Sequence, residues 1–379
     1  MKKWISTLLL WCGCTSAVPG GDEGVAWEVD LPDHFAQPVV PEDNPLTDEK
    51  VELGRFLFYD KRLSLNGTTS CGSCHIQALG FSDGQALSRG ATGELTSRNT
   101  MGLTNVVYNS RLTWASKLVD RLEHQAMLPM FGEIPVEMGL AGREEQLIDT
   151  LEQDRAYVGM FEASWPADGA ITLSHITEAI ASFERTLISA DSPYDRFIAG
   201  DNTALTPSAK RGMELFMSER LECLHCHGGF NFSDVVEHGG LAAPQVAFHN
   251  TGLYNLDNKG RYPASDPGLY SLTGDPADMG RFKAPTLRNI EVTAPYMHDG
   301  SIATLEEVLD HYARGGREIE EGPHRGDGST SPLKSEFVAG FVLTDTEKAD
   351  VLNFLKSLTD ETFLTDPRFS DPFRAQSSD

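Results

Sequence analysis

The sequence predicts a mainly α-helical protein built as two similar halves, and three observations carry that prediction. The pentapeptide Cys-x-x-Cys-His occurs twice, as Cys71-Gly-Ser-Cys74-His75 and as Cys223-Leu-His-Cys226-His227. Each copy has matching surroundings, with a helix-forming stretch before it and an aromatic-Ser-Asp signature after it. Few stretches alternate in polarity with period two over more than four residues, which leaves strands little footing.

A leader comes first. Lys2 and Lys3 precede an apolar stretch from Trp4 to Cys14 and then small, turn-forming residues. That is the pattern of a secretory signal over residues 1–20, too short to span a bilayer. Gly13-Cys14 also suits lipidation, although Trp11 stands where Leu is usual, so a lipid anchor through Cys14 stays open. Leu46-Thr47 then opens a helix through Phe58, and Leu205-Thr206-Pro207 opens another through Phe216. Both begin with a Thr N-cap, the second with Pro at the first helical position. Behind the two pentapeptides come Phe81-Ser82-Asp83 and Phe232-Ser233-Asp234.

Further helices follow from caps and periodicity. Ser174 to about Ile188 carries Ile176, Ile180, Phe183 and Leu187 on one face. Thr304-Leu-Glu-Glu307 is a capping box whose helix ends at Gly315-Gly316. Thr344-Asp-Thr-Glu347 opens the last helix, through Leu358, with Val351, Phe354, Leu355 and Leu358 inward. Gly, Pro and Asp are dense between residues 250 and 281 and between 315 and 332, which reads as long surface loops.

The repeated pentapeptide has a chemical reason. Two thiols three residues apart each form a thioether to one porphyrin while the adjoining His reaches its iron. The alternatives are zinc held by the same four Cys and two His, or two unrelated redox pairs; zinc needs the pairs to converge and gives no reason for a His directly after each. Of the six Cys, four are in the pentapeptides and Cys12 and Cys14 are in the leader, so none remains for disulfides. The layout is therefore two cytochrome c-type domains, residues 41–200 and 201–362, each enclosing one covalent haem c. Haem is attached to such motifs outside the bacterial cytoplasm, so the leader and the pentapeptides together point to the periplasm. With 31 basic against 56 acidic residues and a net charge of -25, the surface repels nucleic acid and anionic lipid.

These residues resemble the bacterial di-haem cytochrome c peroxidases, within them the branch of MauG and the MbnH-like di-haem enzymes. The resemblance runs from Pro41-Glu-Asp-Asn-Pro-Leu-Thr47 to Leu364-Thr-Asp-Pro-Arg-Phe-Ser-Asp-Pro372. It is carried by Gln125-Ala-Met-Leu-Pro129, Pro135-Val-Glu-Met-Gly139, Phe282-Lys-Ala-Pro-Thr-Leu-Arg-Asn289 and Ala294-Pro-Tyr-Met-His-Asp-Gly300. Phe248-His249-Asn250-Thr251-Gly252 is closest to the MbnH-like enzymes.

The resemblance implies roles. His75 is the proximal ligand of the N-terminal haem, and Glu137, with Gln125 beside it, is the distal acid that moves a peroxide proton during O–O cleavage. Many family members close that iron with a His in the following loop, but here the stretch reads Ser88-Arg-Gly-Ala-Thr-Gly93 and no His occurs between His75 and His124. A haem that stays open without reductive activation is the expectation, with His124 a distal substitute that helix geometry turns elsewhere. His227 is proximal at the second haem and Tyr312 its opposite ligand, with Met297, Met279 and His311 as rivals. Trp114 falls where the family keeps a Trp between the haems. Asn99, Thr293 and Pro295 match a calcium site of side-chain and backbone oxygens.

The implied function is a periplasmic oxidoreductase that activates hydrogen peroxide at the N-terminal haem. It shares the oxidising equivalents with the second haem and oxidises a partner protein. The alternatives are a peroxidase that draws electrons from a small redox protein, and a non-catalytic di-haem electron carrier.

Overall fold

The structure is a computed structural model that describes residues 31–374. The expected signal over residues 1–20, with Cys12 and Cys14, lies outside the described residues. In chain order the helices are α1 (Asp48–Tyr59), α2 (Cys71–Cys74), α3 (Leu122–Phe131), α4 (Glu144–Glu152), α5 (Arg155–Ser164), α6 (Leu173–Arg185) and α7 (Pro193–Ile198). They continue as α8 (Pro207–Phe216), α9 (Leu224–His227), α10 (Tyr270–Thr273), α11 (Leu305–Arg314), α12 (Asp345–Lys356) and α13 (Glu361–Thr365). Among the described residues the sheet content is one antiparallel pair, β1 (Glu318–Ile319) and β2 (Gly326–Asp327). The mainly helical class is as the sequence predicts. No described helix is long and apolar enough to cross a membrane.

The caps sit where the residue types put them. Thr47 accepts from the Lys50 amide and Thr206 from the Ala209 amide, while Thr304 with Glu307 and Thr344 with Glu347 form reciprocal capping boxes. Helix α6 stops at Arg185, short of the expected Ile188, and α12 at Lys356, short of Leu358.

The two halves repeat a single packing device. In each, the helix before the pentapeptide crosses a later helix at a glycine, where side-chain-free backbone permits close approach. A Cβ on Gly54 of α1 would lie 1.9 Å from the Ala179 carbonyl oxygen of α6. One on Gly212 of α8 would lie 1.9 Å from the Asp350 carbonyl oxygen of α12. Each half also contains a left-handed Asn that starts a 3-10 turn, Asn105 at φ 56° and Asn289 at φ 59°. Their amides donate to the Leu187 and Leu358 carbonyls just past α6 and α12, at 2.8 and 3.0 Å.

Two apolar cores result. Leu53, Leu57, Phe58, Phe161, Ile176, Ile180 and Phe183 anchor the first; Phe216, Phe232, Leu309, Val351, Phe354 and Leu358 anchor the second. The chain crosses between them. Phe363, Leu364 and Phe369 belong to the first core, and Trp114 and Ala115 pack with the second.

One expectation needs correcting. The segment from residue 250 is not a surface loop throughout, because Asn250, Leu253, Tyr254, Asn255 and Tyr262 are buried. Buried irregular backbone must find hydrogen-bond partners, and here side chains supply them. Asn250 Oδ1 accepts from the Gly252 amide at 2.9 Å and Asn255 Oδ1 from the Gly260 amide at 2.8 Å.

Candidate functional site

The two pentapeptides open onto two different cavities. Cys71, Cys74 and His75 line one, and Cys223, Cys226 and His227 line the other. The four Cys and two His therefore do not converge, and the single zinc site is excluded on geometry.

The imidazole of each pentapeptide is held in the same way. His75 Nδ1 lies 2.7 Å from the Phe81 carbonyl oxygen, and His227 Nδ1 lies 3.0 Å from that of Phe232. Both carbonyls belong to left-handed residues, at φ 62° and 49°, so the aromatic residue of each aromatic-Ser-Asp signature is the bend that turns its carbonyl onto the ring. With Nδ1 as donor, Nε2 is left as the acceptor, which is the tautomer a metal-ligating His requires. Burial pulls both imidazoles down, which keeps them neutral. It also pushes the thiols up, Cys74 to about 11 and Cys223 to about 12. Such surroundings favour neutral thioethers over thiolate ligands. The residues present fit covalent haem in both cavities.

The first cavity gathers Gln125 and Pro129 from α3, Glu137 and Met138 from the following loop, Arg89 and Gly90, and Ile180 and Glu184 from α6. Burial raises the Glu137 carboxyl above its ordinary range. Its segment is pinned by the loop after the first pentapeptide: the Ala91 amide donates to the Glu137 carbonyl at 2.6 Å. A Cβ on Gly90 would meet the Val136 carbonyl oxygen at 2.0 Å. His124 is exposed on α3 and does not line the cavity.

Glu184 is a residue the sequence reading missed. It is 5% exposed, its Oε2 has no hydrogen-bond partner, and burial raises it to about 8. The signal was present in the spacing, since Glu184 follows Ile180 by one helical turn on the apolar face of α6.

The second cavity is lined by Tyr312 and Met297 among the four candidate ligands, whereas Met279 and His311 do not line it. His311 is buried on α11 with neither ring nitrogen hydrogen-bonded, and burial pulls it down to about 4. Asn99, Trp114, Thr293 and Pro295 line the same cavity, and the Trp114 indole donates to the Asn99 carbonyl at 2.8 Å. His249, in the Phe248–Gly252 segment, is a further residue at this site. It lines this cavity with Nε2 2.6 Å from Asp234. Burial pulls the imidazole down, and the Asp234 carboxylate raises it. Asn99, Thr100, Met101 and Gly102 form one wall of the second cavity, and the Met101 backbone also lies against the His75 ring, so the two sites are neighbours.

Fold and site together define a di-haem c-type oxidoreductase, and the chain belongs to the di-haem cytochrome c peroxidase family. The family profile described as "Di-haem cytochrome c peroxidase" matches residues 48–203, and one described as "RoxA-like, cytochrome c-like" matches residues 281–317. Cytochrome-c peroxidase IdrP1 of Denitromonas iodatirespirans is 35% identical over 347 residues, 88% of this chain and 86% of the relative. Methylamine utilization protein MauG of Methylorubrum extorquens is 33% identical over 321 residues, 85% of this chain and 81% of the relative. The crystal structure of a MauG-like protein associated with microbial copper homeostasis superposes with a TM-score of 0.90 at 48% identity. It covers 92% of this chain and 100% of that one. Membership makes the protein a peroxidase-type oxidoreductase with covalently bound haem c, and hydrogen peroxide is the substrate the family name carries.

Proposed function

We propose that the protein activates hydrogen peroxide at the haem held by His75 and shares the oxidising equivalents with the haem held by His227 and Tyr312. Their end use is the oxidation of a partner protein in the periplasm. Residues 41–200 and 201–362 each hold one haem. Bound there, the haems supply the redox chemistry that reduces peroxide and stores its two oxidising equivalents. The chain supplies the proton handling. Glu137, half-buried and facing the same cavity as His75, moves a proton from the inner to the outer peroxide oxygen, and Gln125 orients it. Trp114, fixed by its indole hydrogen bond to Asn99, serves as the relay between the sites. Asn99, with the backbone of Thr293 and Pro295, holds a calcium ion that ties the halves together; metal analysis before and after chelation tests it.

The observation that carries this reading is the company of Glu137 and Gln125 with His75 in a cavity lined by no second His. The test is electron paramagnetic resonance of the ferric holoprotein before and after one equivalent of peroxide. One high-spin and one low-spin signal, both lost without prior reduction, is the expected result. Glu137→Gln slows that loss by about 100- to 10,000-fold, the range of a positioned proton donor. Two low-spin signals untouched by peroxide overturn the reading. A resting protein that responds only when half-reduced identifies instead a peroxidase fed by a small redox protein, and no response in either state identifies an electron carrier. The leader supports export, and Cys14 offers the lipid anchor; mass spectrometry of the mature N-terminus decides both.

A further inference from the structure

Phe282 and His298 line the second cavity and stack on one another with ring centroids 3.6 Å apart. The Tyr262 ring lies 6.2 Å from Phe282 and 6.4 Å from His298. Tyr254 lies 5.4 Å from Tyr262, and the exposed His324 lies 5.3 Å from Tyr254. Aromatic rings thus run from the cavity wall to solvent with no step longer than the 6.4 Å one.

The two tyrosines differ in where their protons can go. Tyr262 donates to the amide oxygen of Asn250 at 3.0 Å, and an amide is no base. Tyr254 donates to Asp299 Oδ2 at 2.6 Å. Burial raises the Asp299 carboxyl, but His298, the bond from Ser301, Tyr254 and Arg317 outweigh it and leave it low, hence ionised at neutral pH. Arg317 sits over the Tyr254 ring at 4.6 Å and opposes any cationic form of it. Loss of an electron from Tyr254 is therefore tied to loss of its proton to Asp299.

We propose that Tyr254 is a redox-active residue through which an oxidising equivalent leaves the second haem site for an external electron donor, an inference that rests on the proposed function. Hydrogen peroxide is the oxidant: it takes two electrons and two protons to give two waters. In each one-electron step Tyr254 loses an electron inward along the Tyr262 ring and its phenolic proton to Asp299, leaving a neutral tyrosyl radical and a protonated carboxyl. An electron from the donor and the proton from Asp299 restore it. Tyr157 has the same local chemistry, with Asp60 Oδ2 at 2.8 Å and Arg62 over its ring at 5.2 Å. Among the described residues it has no ring neighbour leading to either cavity, so it serves as the internal control.

The test is freeze-quenched electron paramagnetic resonance of the holoprotein given one equivalent of peroxide and no donor. A tyrosyl signal is expected that vanishes in Tyr254→Phe and persists in Tyr157→Phe. Its formation should slow by at least about 100-fold in Asp299→Asn, as for loss of a positioned proton acceptor. Unchanged ferric signals before peroxide show that Tyr254→Phe is folded, and in the unaltered protein spin trapping with peptide mapping locates the adduct on Tyr254. Ferric signals that respond to peroxide without a tyrosyl signal, or with one that survives Tyr254→Phe, overturn the path and leave the proposed function standing. Ferric signals that ignore peroxide overturn both.

Discussion

Replacing Arg288 by Met tests the buried ion pair that it makes with Asp195 of α7. Arg288 is 1% exposed and its guanidinium is fully committed. Nη1 and Nη2 donate to the two oxygens of Asp195 at 2.8 and 2.9 Å, and Nε and Nη2 donate to the Phe230 carbonyl at 2.9 and 2.6 Å. Asp195 also accepts from the Ser192 hydroxyl at 2.6 Å and pairs with His34 at 3.1 Å. Met keeps most of the stem volume but leaves the carboxylate buried without its cation, a change that costs about 3–5 kcal/mol. Spread over a transition of more than about 300 residues, at roughly 2.1 cal/mol/K each, that lowers the melting temperature by roughly 4–7 °C.

The pH dependence supplies a second handle. Burial raises the Asp195 carboxyl, but Arg288, Ser192 and His34 outweigh it and hold it below its ordinary value. A carboxyl lowered on folding contributes stability that is present above its unfolded pKa and lost as pH falls through its folded pKa. The gap between wild type and Arg288→Met is therefore widest at neutral pH and narrows in acid, where Asp195 protonates. Urea unfolding of both holoproteins, followed by far-ultraviolet circular dichroism and haem absorption, gives the numbers. A loss below about 1 kcal/mol at neutral pH, typical of an exposed pair, refutes the reasoning.

Three further substitutions have defined outcomes. Gly54→Ala and Gly212→Ala each force a helix crossing apart, because the new methyl would meet a backbone carbonyl at 1.9 Å. Each should cost about 1–3 kcal/mol, read as a lower urea midpoint, and no change would show that the crossings are slack. Glu184, raised to about 8 by burial, holds its proton in the folded state after the unfolded chain has released it. Stability of the wild type should therefore fall as pH rises from about 5 to 8, and Glu184→Gln should flatten that fall. Parallel pH curves for the two proteins would refute a buried, proton-bearing Glu184.

Much of this was legible in the sequence because local chemistry announces itself locally. The Thr caps, the capping boxes at Thr304 and Thr344 and the two pentapeptides each rest on residues within one turn of each other. The left-handed Phe81 and Phe232 lay inside a recognised signature, although nothing in their side chains says that the carbonyl is the working group. What stayed hidden depends on distant partners. Glu184 looks like the polar end of a helix until α1, α3 and the first pentapeptide close around it. Asn250 and Asn255 look like loop residues because composition does not reveal that their amides satisfy buried backbone. The ring path through Tyr262 and Tyr254 joins residues whose order in the chain carries no periodic signal.

The return of the C-terminal segment to the first core has a consequence for what supports the first site. Phe363, Leu364 and Phe369 complete the apolar packing around α1, and Gln77 donates to the Phe363 and Asp366 carbonyls at 3.1 and 2.8 Å. Tyr59 donates to the Phe369 carbonyl at 2.7 Å and Arg55 to that of Ser370 at 2.9 Å. Residues 363–370 thus pack onto the half that carries the first pentapeptide. The Phe363 ring lies 5.6 Å from that of Phe81, yet none of these C-terminal residues lines the cavity around Cys71 and Cys74. The segment therefore braces, from outside the cavity, the bend at Phe81 whose carbonyl holds His75, so loosening the tail should slacken that imidazole without opening the cavity wall.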